Sequence, residues 1–400
     1  MVKNMEKMSS RERMLAALEC REPDYVPMCF MIFSALRSRC KDQFEFIDRQ
    51  IELGLDAFVD LPVASSDTIS EHSDLHGLPV RFGSSVQVRE WREDKSDEPV
   101  PLLYKEYSTP SGVIRSVVKK VDDWLHGDHI PLFDDYLIPR SKEFLIKNQN
   151  DLACLEHLLI PPSDEEIHKF MDDSKKARDF AADRGLLVTG GWGVGMDAAC
   201  WICGIENLML SSIYEPDFVD ELGQIISRWN QARMKVVLDA GVDLFLRRGW
   251  YESTDFWAPD LYRRFILPSL KDEVRMAHQA GAKFGYIITT GTMPLLDILI
   301  ESGIDVIIGV DPVQGRGTDL SEMKMKLKGK ICIWGGVNGF LTVEMGTEDE
   351  IRSAVENAIS ILAPEGGFIL SPVDNIRDTS EDTWKNTMLM IDTWKNIRKG

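Results

Sequence analysis

The sequence predicts a single closed (β/α)8 barrel carrying an inserted antiparallel β-meander. Three observations carry that prediction. Eight short apolar, β-branched runs recur along the chain, at 26–30, 56–61, 186–190, 243–247, 284–288, 305–310, 331–335 and 368–371. Their near-continuous apolar character fits parallel strands covered on both faces. Each run ends in polar or glycine residues and gives way to a helical stretch, an alternation that closes into a barrel. Such barrels place their chemistry at the carboxyl ends of the strands, so the residues just after each run become the functional candidates.

The elements follow in order. Ser9-x-x-Glu12 is a capping box opening a helix from Ser10 to Leu18, and Glu22-Pro23-Asp24 breaks it. The run 26–30 is the first strand, a helix over 39–53 follows, and 56–61 is the second strand. Residues 66–165 then break the rhythm. Segments 86–91, 102–107 and 113–121 alternate polar and apolar, and Thr109-Pro110-Ser111-Gly112 joins the last two. That pattern predicts antiparallel strands. A connector bearing Pro131, Pro139, Pro161 and Pro162 follows, and the whole insertion reads as a cap on one barrel domain spanning 1–400. After residue 185 helices are expected near 197–211, 215–240, 259–280, 293–302, 319–328, 347–362 and 380–396. Pro216, Pro259 and Pro294 fall where a first helical turn tolerates proline.

Composition narrows the class. A chain of 400 residues exceeds a bare barrel of roughly 250, leaving room for the insertion. A net charge of −19 argues against nucleic acid, which needs a basic footprint. The opening Met1-Val2-Lys3-Asn4-Met5-Glu6-Lys7 has no apolar h-region, so no secretory signal is expected. The least polar stretch, 186–204, holds Asp197 and five glycines and reads as strand, turn and helix rather than a membrane span. Seven cysteines, an odd number, point to a reducing compartment, and the expected location is the cytoplasm.

The richest polar turn follows the fourth strand, Arg247-Arg248-Gly249-Trp250-Tyr251-Glu252. Arginine forks bind carboxylates or phosphates, and aromatic walls hold planar or cationic groups. The same arginines also suit a purely structural use, sealing a strand end against barrel carboxylates. Other strand ends supply Asp60, Trp192, Thr289, Asp311, Asn338, Asp374 and Asn375, several of which equally suit capping the next helix. Asp374, Glu252 and Tyr251 are the catalytic candidates. Arg247, Arg248, Trp192, Trp250, Thr289, Asp311, Asn338 and Asn375 are the substrate-binding candidates. Cys200-Trp201-Ile202-Cys203 lies on an expected helix without a second pair, and reads as two buried small hydrophobes. The pairs His72/His76 and His126/His129 fall in the insertion, away from most strand ends, and His278 reads as structural. No glycine-rich nucleotide fingerprint appears.

Several segments together resemble the uroporphyrinogen decarboxylase superfamily. They are Arg11 to Leu18 with Glu22-Pro23-Asp24-Tyr25-Val26-Pro27, Gly204-Ile205-Glu206-Asn207-Leu208 with Glu215-Pro216, and Leu267-Pro268-Ser269-Leu270. Gly346-Thr347-Glu348-Asp349-Glu350 and Gly366-Gly367-Phe368-Ile369-Leu370-Ser371-Pro372 complete the set, in the family's order. The resemblance implies the barrel and one of two chemistries, porphyrinogen decarboxylation or corrinoid-linked methyl transfer. The decarboxylase branch carries an arginine-rich turn after its first strand, and 31–39 does not match it; Asp374 falls near that branch's last-strand histidine. The methyltransferase branch places zinc on a histidine and two cysteines at the fifth and eighth strand ends. Here Ile288, Thr290 and Asp374 occupy those places, so the usual zinc site is not matched, and Glu252 and Asp374 are the oxygen donors an atypical site would draw on. The resemblance therefore implies methyl transfer from a small methylated substrate to a corrinoid held by a partner protein, with no tightly bound cofactor and neither membrane nor nucleic acid as partner. The alternative is a lyase decarboxylating an acidic, tetrapyrrole-type substrate, and a third reading is a ligand-binding barrel without catalysis.

Overall fold

Seven of the eight runs form parallel strands of one curled sheet. The computed structural model describes residues 7–61, 71 and 80–398. The barrel strands are β1 (Phe58–Asp60), β6 (Leu187–Gly193), β7 (Leu244–Arg248), β8 (Lys283–Ile287), β9 (Val306–Val310), β10 (Cys332–Asn338) and β11 (Phe368–Val373), hydrogen-bonded in that order. Between β6 and β11 every strand is followed by helix, as the sequence pattern requires, and helices such as Pro216–Asp239 and Glu348–Leu362 bury their apolar faces on the sheet. A capping box of Ser9 and Glu12 opens the helix Ser10–Leu18 as expected.

The run 26–30 is a correction. It sits in the gap between β11 and β1, where the eighth strand belongs, but it makes isolated parallel bridges, Met28 with Leu370 and Ile32 with Asn375, instead of a ladder. Pro27 has no N–H to donate, and the Met28 N–H turns to the Asp56 carboxylate at 3.3 Å. The Cys29 N–H still reaches Leu370 O at 3.0 Å, and the Asp56 N–H reaches Met28 O at 2.9 Å, so the segment ties the two sheet edges together.

The insertion forms a four-stranded antiparallel sheet of β2 (Gln87–Glu93), β3 (Leu102–Thr109), β4 (Gly112–Lys119) and β5 (Ser141–Glu143). One face, with Leu103, Tyr107, Ile114 and Val118, joins the main apolar core. The other carries a small separate cluster of Leu102, Tyr104 and Val117 against Trp91. This is the face alternation of period two that marked these segments in the sequence.

Other departures are local. The expected helix 197–211 is two helices, Met196–Cys203 and Ile205–Tyr214, which break at Gly204. The expected helix 259–280 breaks at Ile266, just before Pro268. A long helix, Asp164–Arg184, fills a stretch beyond the proline-bearing connector where no element was expected, and a π-helical turn, Gly339–Glu344, follows β10. No helix among the described residues is long and apolar enough to cross a membrane.

Candidate active site

The carboxyl ends of the barrel strands open into a cleft of about 910 Å³. Its walls come from the 30–37 segment, the end of β1 at Asp60, the insertion at Asp135 and Tyr136, and Trp192, Trp250, Asp374 and Asn375. Inward it narrows to a chamber of about 30 Å³, lined by Met31, Trp192, Trp250, Thr289, Trp334 and Asp374 among others. Asp374 is the one charged residue lining that chamber among the described residues.

Trp192 reaches the chamber through a strand irregularity. The register of β6 against β7 shifts between Gly191 and Gly193, leaving Trp192 as the bulged residue. Its φ of 44° is unusual for a bulky side chain, and its neighbour Gly191 sits at φ 113°, where an added Cβ would lie 2.4 Å from the Phe245 ring. Trp192 meets Trp250 with ring centroids 6.5 Å apart at 81°, which gives the chamber a two-walled aromatic corner.

Trp250 is held from behind. The Arg248 guanidinium lies 4.1 Å from its ring centroid and 4.6 Å from that of Trp201. Arg248 is fully buried; its Nε donates to Asp197 Oδ2 at 2.9 Å and its Nη2 to Asp135 Oδ2 at 3.0 Å. The Trp250 and Tyr251 N–H groups donate to the same Asp197 carboxylate, and the Tyr251 hydroxyl donates to Asp135 at 2.9 Å. Burial pushes the Asp197 carboxyl up while Arg248 pulls it down, and burial together with Asp135 raises the Tyr251 phenol.

Arg247 faces away from the cleft. Its Nη2 donates to Glu252 at 2.7 Å and its Nη1 to Glu273 at 3.2 Å, and all three side chains are buried. The Tyr286 hydroxyl and the Met196 N–H also donate to Glu252, at 2.5 and 2.7 Å, and Asn230 donates to Glu273. Burial pushes Glu273 up to about 7 against the pull of Arg247. Gly195 lets the chain pass this cluster, because a Cβ there would sit 2.0 Å from Arg247 Nη2.

These contacts sort the sequence candidates. Trp192, Trp250, Thr289, Asp374 and Asn375 line the cleft or its chamber. Arg247, Arg248, Tyr251 and Glu252 do not; a shared position at one strand end placed them together, but protein carboxylates hold both arginines and Glu252 itself anchors Arg247. Asp311 and Asn338 also stand back from the cleft. Asp311 accepts from the Val313 and Gln314 N–H groups and from Asn338, and Asn338 caps the π-helical turn through the Leu341 N–H, so both take the capping role. Asn375 lines the cleft while fixing the first-strand segment, accepting from the Ser34 N–H and donating to its hydroxyl. Asp135, Tyr136 and Arg37 were not singled out by the sequence; Asp135 lies in the insertion, more than 100 residues from the Arg248 it binds. Asp60, which accepts from the Thr189 hydroxyl, also lines the cleft.

Asp374 projects into the cleft with φ 68°. Desolvation raises its carboxyl, opposed by Arg377 at 3.7 Å and helped by Asp311 and Glu344.

The residues do not fit the zinc site that the fold family implies. Ile288 is a buried hydrocarbon, Thr290 donates to Asp255 at 2.6 Å, and Asp374 stands without a soft partner. Among the described residues no three histidine, cysteine, aspartate or glutamate side chains assemble into a metal-holding group. Glu252, the other oxygen donor considered, lies outside the cleft with Arg247. Cys200 and Cys203 are buried thiols, both raised by burial. His126 pairs with Asp134, His129 with Glu90 and His278 with Asp305. His72 and His76 lie outside the described residues.

A sequence model of the uroporphyrinogen decarboxylase (URO-D) family matches residues 133–383. No curated protein matches the sequence. Among solved structures, a methyltransferase from Methanosarcina mazei is similar over 97% of this chain and 99% of its own, with 17% identity and a TM-score of 0.59. A B12-independent methionine synthase from a Shewanella species is similar over 57% of this chain and 66% of its own, with 11% identity and a TM-score of 0.39. The first of these likenesses is one of fold.

Proposed function

The chain belongs to the uroporphyrinogen decarboxylase family, and from that premise we propose that it transfers a methyl group from a small methylated substrate to a corrinoid borne by a partner protein. The observation that carries this reading is the charge of the cleft. A porphyrinogen-type polycarboxylate needs several free arginines, yet protein carboxylates hold Arg247 and Arg248, and among the described residues the cleft sets Asp60, Asp135 and Asp374 against only Arg37 and Arg377. The inner chamber of about 30 Å³ admits no ring system, so the methyl-bearing head is placed at its mouth, where Met31, Trp192, Trp250 and Asp374 also line the cleft. The methyltransferase from Methanosarcina mazei supplies a precedent for the chemistry on this fold.

A corrinoid, when bound, supplies the nucleophile that accepts the methyl group. The electron pair of the breaking carbon–heteroatom bond stays with the leaving group, and the acceptor's lone pair makes the new bond. The mouth suits a flat macrocycle, since exposed Leu125 borders the cleft and exposed Phe340 borders an adjoining recess of about 510 Å³. Trp192, Trp250 and Met31 exclude water around the methyl head, and Asp374 orients the substrate from the chamber's edge.

The test is corrinoid methylation followed by absorbance, with a panel of small methylated compounds and a chemically reduced corrinoid. Methylated corrinoid should form only when the protein is present. Carbon dioxide release from a tetrapyrrole polycarboxylate, without methylation, would overturn the reading in favour of the lyase. Tight ligand binding with neither reaction would overturn it in favour of a non-catalytic barrel.

A further inference from the structure

We propose that the cleft, where Met31, Trp192, Trp250 and Asp374 border the mouth of the inner chamber, takes a methylated onium cation, a quaternary ammonium or sulfonium head, as the substrate; this rests on the methyl-transfer reading. That mouth joins three features. Trp192 and Trp250 form an aromatic corner at 81°, and a ring face of such a corner presents negative quadrupole density to a cation, whereas ring edges are positive. Met31 adds a polarisable thioether. Asp374 contributes the only charge lining the chamber among the described residues, and it is negative.

The cations nearby do not cancel this arrangement. Arg377 is 3.7 Å from Asp374 and its side chain is 70% exposed, so a ligand can displace it into solvent. Arg248 lies against Trp250, but Asp197 and Asp135 neutralise it. Arg37 donates to Cys40 O and is exposed. Asp60 and Asp135 add negative charge farther up the cleft.

The donor set at the strand ends agrees with this substrate class. A neutral methyl ether or alcohol releases an anion when its C–O bond breaks, and something must coordinate or protonate that oxygen. An onium substrate releases a neutral amine or thioether. The C–N or C–S electron pair stays on the leaving heteroatom, the corrinoid's lone pair forms the new bond to carbon, and no proton moves. Ile288 and Thr290, which stand where the family's soft ligands are placed, offer neither a soft metal ligand nor an acid, and a neutral leaving group needs neither.

The test compares choline with 3,3-dimethylbutan-1-ol, which has the same shape with carbon in place of nitrogen, by calorimetry on the full chain. Choline should bind at least about tenfold more tightly, the scale of a cation–π contact plus one half-exposed carboxylate. Asp374→Asn keeps a side chain that tolerates positive φ and should weaken choline binding about tenfold while leaving the neutral analogue unchanged. Equal binding of the two probes, or an unchanged choline affinity in Asp374→Asn, would overturn the proposal. Protein-dependent methylation of a corrinoid by a neutral methyl ether, without preference for choline, would overturn the onium assignment and leave methyl transfer standing. Selective choline binding with no methyl transfer from any onium donor would overturn the methyl-transfer reading while the cation site stands.

Discussion

Arg247 Nη2 lies 2.7 Å from Glu252 Oε1, and neither side chain is more than 1% exposed. The pair is a fixture of the barrel wall, completed by Glu273 on the other guanidinium nitrogen. Arg247→Ala should therefore lower stability by about 3–5 kcal/mol, because it leaves the buried Glu252 carboxylate without its cation. Denaturant unfolding of the variant measures this. An unchanged midpoint with lost ligand binding would instead return Arg247 to the substrate site.

Glu273 gives the cluster a pH dependence of unusual sign. Burial raises its folded-state value from 4.5 to about 7, so between those limits the native protein holds a proton that the unfolded chain has lost. Stability from this group is fully present below pH 4.5 and is lost as pH rises through 7. The stability of the wild type relative to Glu273→Gln should accordingly fall between pH 5 and pH 8, with urea unfolding as the measurement. A difference that grows with pH would mean that pairing with Arg247 outweighs burial.

The two carboxylates on Arg248 should behave differently. Asp197 is fully buried and also accepts from two backbone N–H groups, whereas the Asp135 side chain is 31% exposed. Asp197→Asn should cost about 3 kcal/mol. Asp135→Asn should cost about 1 kcal/mol or less. Thermal unfolding of both variants decides this, and the reverse order would show that the insertion, through Asp135, carries the anchor.

What the sequence made legible follows from which signals are local. Strand runs and their order are local, and seven of eight became sheet; the exception contains Pro27, whose missing donor interrupts the ladder. The helix Asp164–Arg184 was signalled at its ends, by the Ser163–Glu166 capping box and by Gly185, but its body is so polar that only Phe170, Ser174, Ala177 and Ala181 are buried. An apolar period is faint there, so the stretch carries no strong helical pattern. In the site, Trp192, Trp250, Asp374 and Asn375 line the cleft and Thr289 lines its chamber, all from strand ends. Strand-end position did not reveal side-chain direction. Arg247 and Arg248 are adjacent in sequence yet turn to different carboxylates, and their partners Glu273, Asp197 and Asp135 are distant along the chain.

Asp374 tests whether backbone conformation and site chemistry can be separated. Its φ of 68° is left-handed, a region that glycine enters freely, aspartate tolerates and alanine resists. Asp374→Ala should lose stability through that conformation. Asp374→Gly relieves the backbone and pays about 0.5–1 kcal/mol in unfolded-chain entropy, so it should end more stable than the alanine variant by about 1 kcal/mol. Both variants lack the carboxylate, so choline binding should fall equally in the two. The measurement pairs urea unfolding with calorimetry on the same samples. Equal stabilities would show that position 374 does not hold the left-handed conformation in solution. Binding that tracked stability rather than the missing carboxylate would show that Asp374 serves the chamber by shaping its backbone and not by its charge.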